Sequence, residues 1–144
     1  MFEGQYNHTI DTKGRLSIPP KFREELGSTF HVTRGMDGCL FAYDDENWEN
    51  FKNSLMKLPK LTSKELRNLR RIFISGAASV EVDKQGRILI PAALREIAGL
   101  EKDVVLAGVG DCIEIWSQER WDGLDLSTES DELPEIMERF GITL

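Results

Sequence analysis

The sequence has little of what marks a secreted protein, a membrane protein or a metalloenzyme. Two cysteines in 144 residues, Cys39 and Cys112, are too few for a disulfide framework, and neither belongs to a Cys-x-x-Cys pair. The two histidines, His8 and His31, have no second histidine at ligand spacing, so no metal is expected. No apolar run reaches the roughly 18 to 20 residues that a membrane-crossing helix needs. The stretch Met1-Phe2-Glu3-Gly4-Gln5 starts acidic and polar where a secretory signal is basic and then apolar, so a cytosolic protein is expected. There is no Gly-rich phosphate loop leading into a helix and no coherent Ser/His/Asp or Cys/His arrangement. An enzyme is therefore not expected, and with it no cofactor and no small-molecule substrate. Positive charge is short too: 18 Lys and Arg against 25 Asp and Glu give a net charge of −7 and a pI near 4.9. Taken alone, that balance argues against a nucleic-acid partner.

The distribution of charge weakens the objection. From Glu114 onward there are nine acids and two bases (Arg120, Arg139), which accounts for the whole −7. Residues 1 to 113 are neutral, so local patches decide what binds there. A hydrophobic content of 40% and a charged content of 30% are ordinary for a globular chain.

What the sequence does have is the same element twice. Asp11-Thr12-Lys13-Gly14-Arg15-Leu16-Ser17-Ile18-Pro19 returns as Asp83-Lys84-Gln85-Gly86-Arg87-Ile88-Leu89-Ile90-Pro91, and Arg23-Glu24 returns as Arg95-Glu96. With a one-residue insertion the register continues: Cys39 falls on Cys112, Tyr43 on Trp116, Glu46 on Glu119 and Trp48 on Trp121. Self-similarity at one offset points to two packed units sharing a core, since a unit of about 50 residues alone is marginal. In each loop the aspartate can accept hydrogen bonds from the turn's own N–H groups. Gly14 and Gly86 permit positive φ. Arg15 and Arg87 then project from strand starts, where a rigid guanidinium suits a phosphate or a guanine edge. The alternative is that each Asp and Arg pair within the loop and only stabilise the turn; both roles can coexist. Lys13 and Lys84 add one lysine per loop at non-equivalent positions. Arg23 and Arg95 read as internal salt bridges or as further DNA contacts.

The spacing predicts strands at Asn7–Asp11, Leu16–Ile18, Phe30–Arg34 and Cys39–Tyr43, and again at Ser79–Val82, Ile88–Ile90, Val104–Ala107 and Cys112–Trp116. Short helices are expected over Lys21–Leu26 and Pro91–Ala98, each closed by a glycine. Between the repeats, Thr62-Ser63-Lys64-Glu65 reads as a capping box with Leu61 and Leu66 as its staple, opening a helix to about Arg71. That helix has an apolar side (Leu66, Leu69, Phe73) and a basic stripe (Lys60, Lys64, Arg67, Arg70, Arg71), either a solvated face or the rim of a groove. From Ser130 on, Leu133, Ile136, Met137 and Phe140 recur at helical spacing, opposite an acidic face, and need a surface to cover them. The expected organisation is repeat one (5–48), a helical linker (49–76), repeat two (77–121) and an acidic tail (122–144).

The tandem Asp-x-x-x-Arg signatures, the approach Arg70-Arg71-Ile72-Phe73-Ile74-Ser75-Gly76-Ala77, and Ile115-Trp116 and Trp121 resemble the MraZ transcriptional regulators. These are similar to the AbrB/SpoVT/MazE-like swapped-hairpin superfamily. The resemblance implies an α+β, mainly β fold: AbrB-like units interleaving hairpins into one β-barrel with peripheral helices. It implies DNA contacts by Lys13, Arg15, Lys84 and Arg87, with Asp11, Gly14, Asp83 and Gly86 bracing the loops. It also implies a ring-like homo-oligomer on double-stranded promoter DNA with short repeated boxes, nucleoid-associated, regulating the bacterial division and cell-wall gene cluster and its own gene. A second expectation, of another class, is a protein-interaction module: an antitoxin-like barrel whose acidic tail holds a partner protein.

Overall fold

The computed structural model describes residues 1–57, 63–126 and 132–143. It is an α+β protein, with eight strands, six α-helices and one π-helical turn among the described residues. In the first half, strand β1 (Phe2–Thr9) leads through the first duplicated loop into β2 (Arg15–Ser17), helix α1 (Pro20–Leu26), then β3 (Thr29–Arg34) and β4 (Leu40–Tyr43). Helices α2 (Asp45–Met56) and α3 (Lys64–Arg70) and a π turn (Arg71–Ser75) connect to the second half. There β5 (Ala78–Glu81), β6 (Arg87–Leu89), α4 (Ala92–Ala98), β7 (Asp103–Gly110) and β8 (Ile113–Ser117) repeat the order, followed by α5 (Gln118–Asp122) and α6 (Glu132–Arg139).

Six strands form one antiparallel sheet in the order β1-β7-β8-β4-β3-β5, and β2 and β6 form a separate two-stranded ribbon. No continuous ladder closes the described strands into a barrel. The pairing nevertheless crosses the halves: β1 lies on β7, β3 on β5, β4 on β8 and β2 on β6. Only the β3–β4 and β7–β8 hairpins pair within one half. Exchanging the halves maps this pattern onto itself. Register refines the one-residue insertion seen in sequence. Thr9 pairs with Asp103 and Glu81 with Thr29, so Thr29 is the counterpart of Asp103. The loop after α4 is therefore two residues longer than that after α1, and the β7–β8 hairpin from Asp103 to Trp116 is one residue shorter than its counterpart from Thr29 to Tyr43.

The crossed pairing follows from where the apolar residues are. Each short strand has one buried residue at its centre, Leu16 in β2 and Ile88 in β6, at 0% and 1% exposure. Neither three-residue strand can bury that residue without the other half. Leu16, Phe22, Phe30, Leu40 from the first half and Ile88, Ile90, Leu106, Ile113, Ile115 from the second belong to one continuous core. Trp48 is a core anchor, stacked on His31 and Phe51 and tilted against Tyr43. Trp121 is half-buried, edge-on to Trp116.

Several details differ from the sequence reading. β1 starts five residues earlier than predicted, because a full-length β7 lies beside it. The helix before the second half is capped by Ser63, whose Oγ accepts from Leu66 N–H at 3.1 Å. The cap is therefore one residue later than a box ending on Glu65 requires; Leu61, Thr62 and Lys60 lie outside the described residues, as does Ser130. The same helix runs on past Arg71 as a π turn. Its widening coincides with Thr33 Oγ1, buried, donating 2.7 Å to the Phe73 carbonyl, a bond that competes with the regular helical ladder.

Candidate nucleic-acid interface

Each duplicated loop is a hairpin built by its aspartate. Asp11 Oδ1 accepts from the backbone N–H of Lys13 (3.0 Å) and Arg15 (2.9 Å), and Gly14 N–H donates to the Asp11 carbonyl at 3.0 Å. In the second loop Asp83 Oδ1 accepts from the backbone N–H of Gln85 (2.8 Å) and Arg87 (2.9 Å), and Gly86 N–H donates to the Asp83 carbonyl at 3.0 Å. The glycines are needed twice over. Gly14 has φ +92 and Gly86 φ +79. A Cβ on Gly14 would also lie 2.8 Å from the Ile90 carbonyl oxygen and 2.8 Å from Arg95 Nε.

Both readings of the Asp–Arg pair hold at once. Arg15 Nε donates to Asp11 Oδ2 at 2.7 Å, and Arg87 Nε lies 3.4 Å from Asp83 Oδ2, an ion pair without hydrogen-bond geometry. The first brace is the tighter. In each case only Nε is engaged: among the described residues no hydrogen bond involves the terminal nitrogens of Arg15 or Arg87. The two arginine side chains stay partly exposed, at 38% and 28%. The aspartate thus fixes the arginine by one edge and leaves its outer fork free for an acceptor.

Strand register sets where the forks point. In the ribbon Arg15 faces Leu89, Leu16 faces Ile88 and Ser17 faces Arg87. Directly opposed residues share a face. Leu16 and Ile88 point inward, so Arg15, Ser17, Arg87 and Leu89 make up the outer face. The strands run antiparallel and each is preceded by its loop, so the loops sit at opposite ends of the ribbon while both arginines lie on one side. Lys13 and Lys84 are exposed at the two ends. Each loop is also tied to the far end of the other strand: Ile90 N–H donates to the Gly14 carbonyl and Ile18 N–H to the Gly86 carbonyl, both at 2.9 Å.

Arg23 and Arg95 correct the salt-bridge expectation. Among the described residues neither forms an ion pair. They cross over instead. Arg95 Nε donates to the Ile90 carbonyl at 3.0 Å, and its guanidinium lies against Gly14 of the other half's loop. Arg23 lies likewise against Gly86, its Nε buried without a hydrogen-bond partner. A side chain on either glycine would displace a guanidinium, so the repeated Gly and the repeated Arg form one cross-half contact. The linker stripe is occupied locally: Arg70 Nε donates to the Leu55 carbonyl (3.3 Å) and Arg71 Nη1 to Asn68 Oδ1 (2.9 Å).

Two outward residues, Ser17 and Leu89, were not singled out from sequence. The signal was strand alternation, which puts the second residue after each arginine on the arginine's face. The run Ile88-Leu89-Ile90 hid it by reading as core.

The loop carboxylates carry an electrostatic signature. Backbone donation from Arg15, reinforced by its side chain and by Lys13 N–H, holds Asp11 at about 2 against an ordinary value of 3.8, although partial desolvation opposes it. Asp83 is lowered in the same way, mainly by Arg87 N–H. A carboxylate with a depressed folded pKa contributes its stabilisation above the unfolded value and loses it as pH falls through the folded one. The Asp11 brace is thus intact at neutral pH and lost between about 4 and 2, and the Asp83 brace is likewise lost on acidification. We expect Asp11 to titrate below 3.8 in a carboxyl-carbon NMR titration, and D11N to flatten the pH dependence of unfolding in that window. An Asp11 titrating at 4 or above would contradict the hairpin geometry. Cys39 and Cys112 are free and buried, and burial raises both thiols to about 12, so neither is a nucleophile.

No helix of the described residues is long and apolar enough to cross a membrane, and they hold no cluster of three or more His, Cys, Asp or Glu able to bind a metal. Compared with known proteins, residues 1–71 and 73–139 match the family described as "MraZ protein, putative antitoxin-like". The chain belongs to the MraZ family. It is 53% identical over 143 residues to the transcriptional regulator MraZ of Lachnoclostridium phytofermentans, covering 99% of both chains. It is 51% identical over 144 residues to that of Caldanaerobacter subterraneus subsp. tengcongensis, covering 99% of this chain and all of the relative. It is 55% identical over 121 residues to that of Heliobacterium modesticaldum, 84% of each. The MraZ match runs through both loops, both ribbon strands and all of α6.

Proposed function

We propose that this chain is a sequence-specific, double-stranded-DNA-binding transcriptional regulator acting as a homo-oligomer. The observation that carries the reading is the ribbon face: two arginines set diagonally on one side of it, each held by Nε to its own loop aspartate, each with a free outer fork, and a lysine at either end. A two-stranded ribbon fits the major groove, where such forks match the guanine edge. The full-length similarity to proteins named transcriptional regulators supports the same reading. Lys13, Arg15, Lys84 and Arg87 are the proposed contacts, with Asp11, Gly14, Asp83 and Gly86 positioning them. Arg23 and Arg95 add positive charge beneath the loops. The crossed strand pairing favours two AbrB-like repeats, 5–48 and 77–121, as swapped hairpins of one small barrel, with 49–76 as connection and 122–144 as tail.

Following the family resemblance, we take the target to be the promoter of the bacterial division and cell-wall gene cluster, including the regulator's own gene, with repression as the outcome and a cytoplasmic, nucleoid-associated location. An acidic chain with few basic prongs binds DNA weakly. A ring that meets several short boxes together gains affinity through effective concentration, without new contacts. Fluorescence anisotropy on a duplex of that promoter tests this. Log affinity should fall linearly with log salt, and a duplex with one box should bind far more weakly than one with several. Affinity independent of salt and of box number would overturn it.

One observation favours the other reading, a protein-interaction module. On α6, Leu133, Ile136 and Phe140 are 49%, 38% and 71% exposed. Gly141 at φ +70, with Ile142 N–H donating 2.9 Å to the Met137 carbonyl, ends the helix in a Schellman-type turn. The helix is thus well formed, yet its apolar side has no cover. Deleting residues 129–144 separates the cases. If the oligomer falls apart together with DNA binding, the tail joins subunits. If a co-purifying protein is lost while DNA binding stays, the interaction reading wins.

A further inference from the structure

We propose that Leu89 reads the C5-methyl of a thymine beside the base contacted by Arg15, so that the two ends of the ribbon read different sequences. The inference rests on the DNA-binding reading above and goes beyond it by assigning a residue that discriminates bases. Leu89 is 57% exposed, although its neighbours Ile88 and Ile90 are 1% and 0% exposed. It stands directly opposite Arg15. Opposed residues of an antiparallel pair have Cβ atoms about 4.5–5.5 Å apart, and base pairs stack about 3.4 Å apart. A guanidinium on one base edge therefore brings Leu89 to the same or the next base pair.

Of the four outward residues of the ribbon, Leu89 alone is apolar, and the arginines flank it directly across and two residues before. On the major-groove edges of the four bases the one apolar group is the thymine methyl. A leucine in that place has one complementary target there. Its counterpart in the first half is Ser17, opposite Arg87. A hydroxyl donates or accepts and gives no preference for a methyl. The pseudo-two-fold face thus pairs Arg15 with an apolar reader and Arg87 with a polar one. The asymmetry already visible in Lys13 and Lys84 extends to the outer face of the ribbon itself.

The test selects tight sites from a randomised duplex library with the full chain, then replaces each thymine of the selected site by uracil, which removes only the methyl. One position is expected at which uracil weakens wild-type binding about fourfold, the factor given by one buried methyl-sized group. L89S should bind the thymine and uracil duplexes equally at that position, with wild-type thermal stability, since Leu89 is exposed. S17L should gain a second methyl-sensitive position near the other end of the site. Equal wild-type binding to thymine and uracil at every position, or an L89S variant that keeps the methyl dependence, would overturn the proposal while leaving DNA binding in place. A chain that selects no site at all would overturn both.

Discussion

Arg15→Ala and Arg87→Ala are each expected to weaken binding to the promoter duplex by tenfold or more, with the fold unchanged. A bidentate arginine–guanine pair gives roughly 1–3 kcal/mol of discrimination. In a homo-oligomer every subunit carries the substitution, so the loss compounds over each box engaged. The fold is spared because the brace is a half-exposed ion pair, 2.7 Å long at Arg15 and 3.4 Å at Arg87. Such solvent-screened pairs contribute little to stability. Lysine at either position keeps the charge and loses the fork, so Arg15→Lys should fall between wild type and alanine in affinity and lose selectivity for the site over random DNA. Gel-shift titrations beside thermal unfolding separate the two quantities. If both alanine variants shift promoter DNA like the wild type, the loops are not the DNA-binding surface.

The second large effect is on stability. Gly14→Ala and Gly86→Ala should each destabilise the fold by about 3 kcal/mol or more. Positive φ costs a residue with Cβ about 1–2 kcal/mol. At Gly14 the new carbon also meets the Ile90 carbonyl oxygen and Arg95 Nε, both at 2.8 Å, where the 2.9 Å Ile90–Gly14 hydrogen bond ties the loop to the other half. Gly110 is an internal control: its φ is +102, but nothing lies within 4 Å of a Cβ there. Gly110→Ala therefore reports backbone strain alone. Urea unfolding of the three variants should place Gly14→Ala and Gly86→Ala well below Gly110→Ala. Equal midpoints for all three would mean that the loops yield freely and that the cross-half contact adds little.

Much of this was legible because the chain states it twice. Asp11 and Asp83, Gly14 and Gly86, and Arg15 and Arg87 have local roles: the carboxylate bonds N–H groups two and four residues on, and sequence spacing encodes that directly. The glycine-closed helices were readable for the same reason. What spacing could not carry were contacts between the halves. Arg23 was read toward a nearby carboxylate, but strand interleaving delivers it to Gly86 of the other loop. Phe2 to Tyr6 alternates weakly, and its partner, Leu106 to Gly110, is distant in the chain, so the start of β1 is not legible in spacing. The π turn at Arg71–Ser75 depends on a hydroxyl from Thr33, forty residues earlier. Helix α5 is five residues long with a serine cap at Ser117, too short for periodicity to announce it.

The crossed strand pairing also governs how the chain comes into being. During synthesis β1 emerges first but has no partner until β7, some hundred residues later, has left the ribosome. The β3 edge waits for β5, and Leu16 for Ile88. Nothing in the first half can finish folding alone, so the nascent chain holds open edges and an uncovered apolar strand throughout. Pairings of such long sequence separation make folding slow for a protein of this size. The same geometry carries a record of ancestry. Two identical half-length chains could make every one of these pairings between themselves, so the monomer has the plan of a dimer whose genes were joined. Only after that joining could the two loops diverge and a serine come to stand where its twin is leucine.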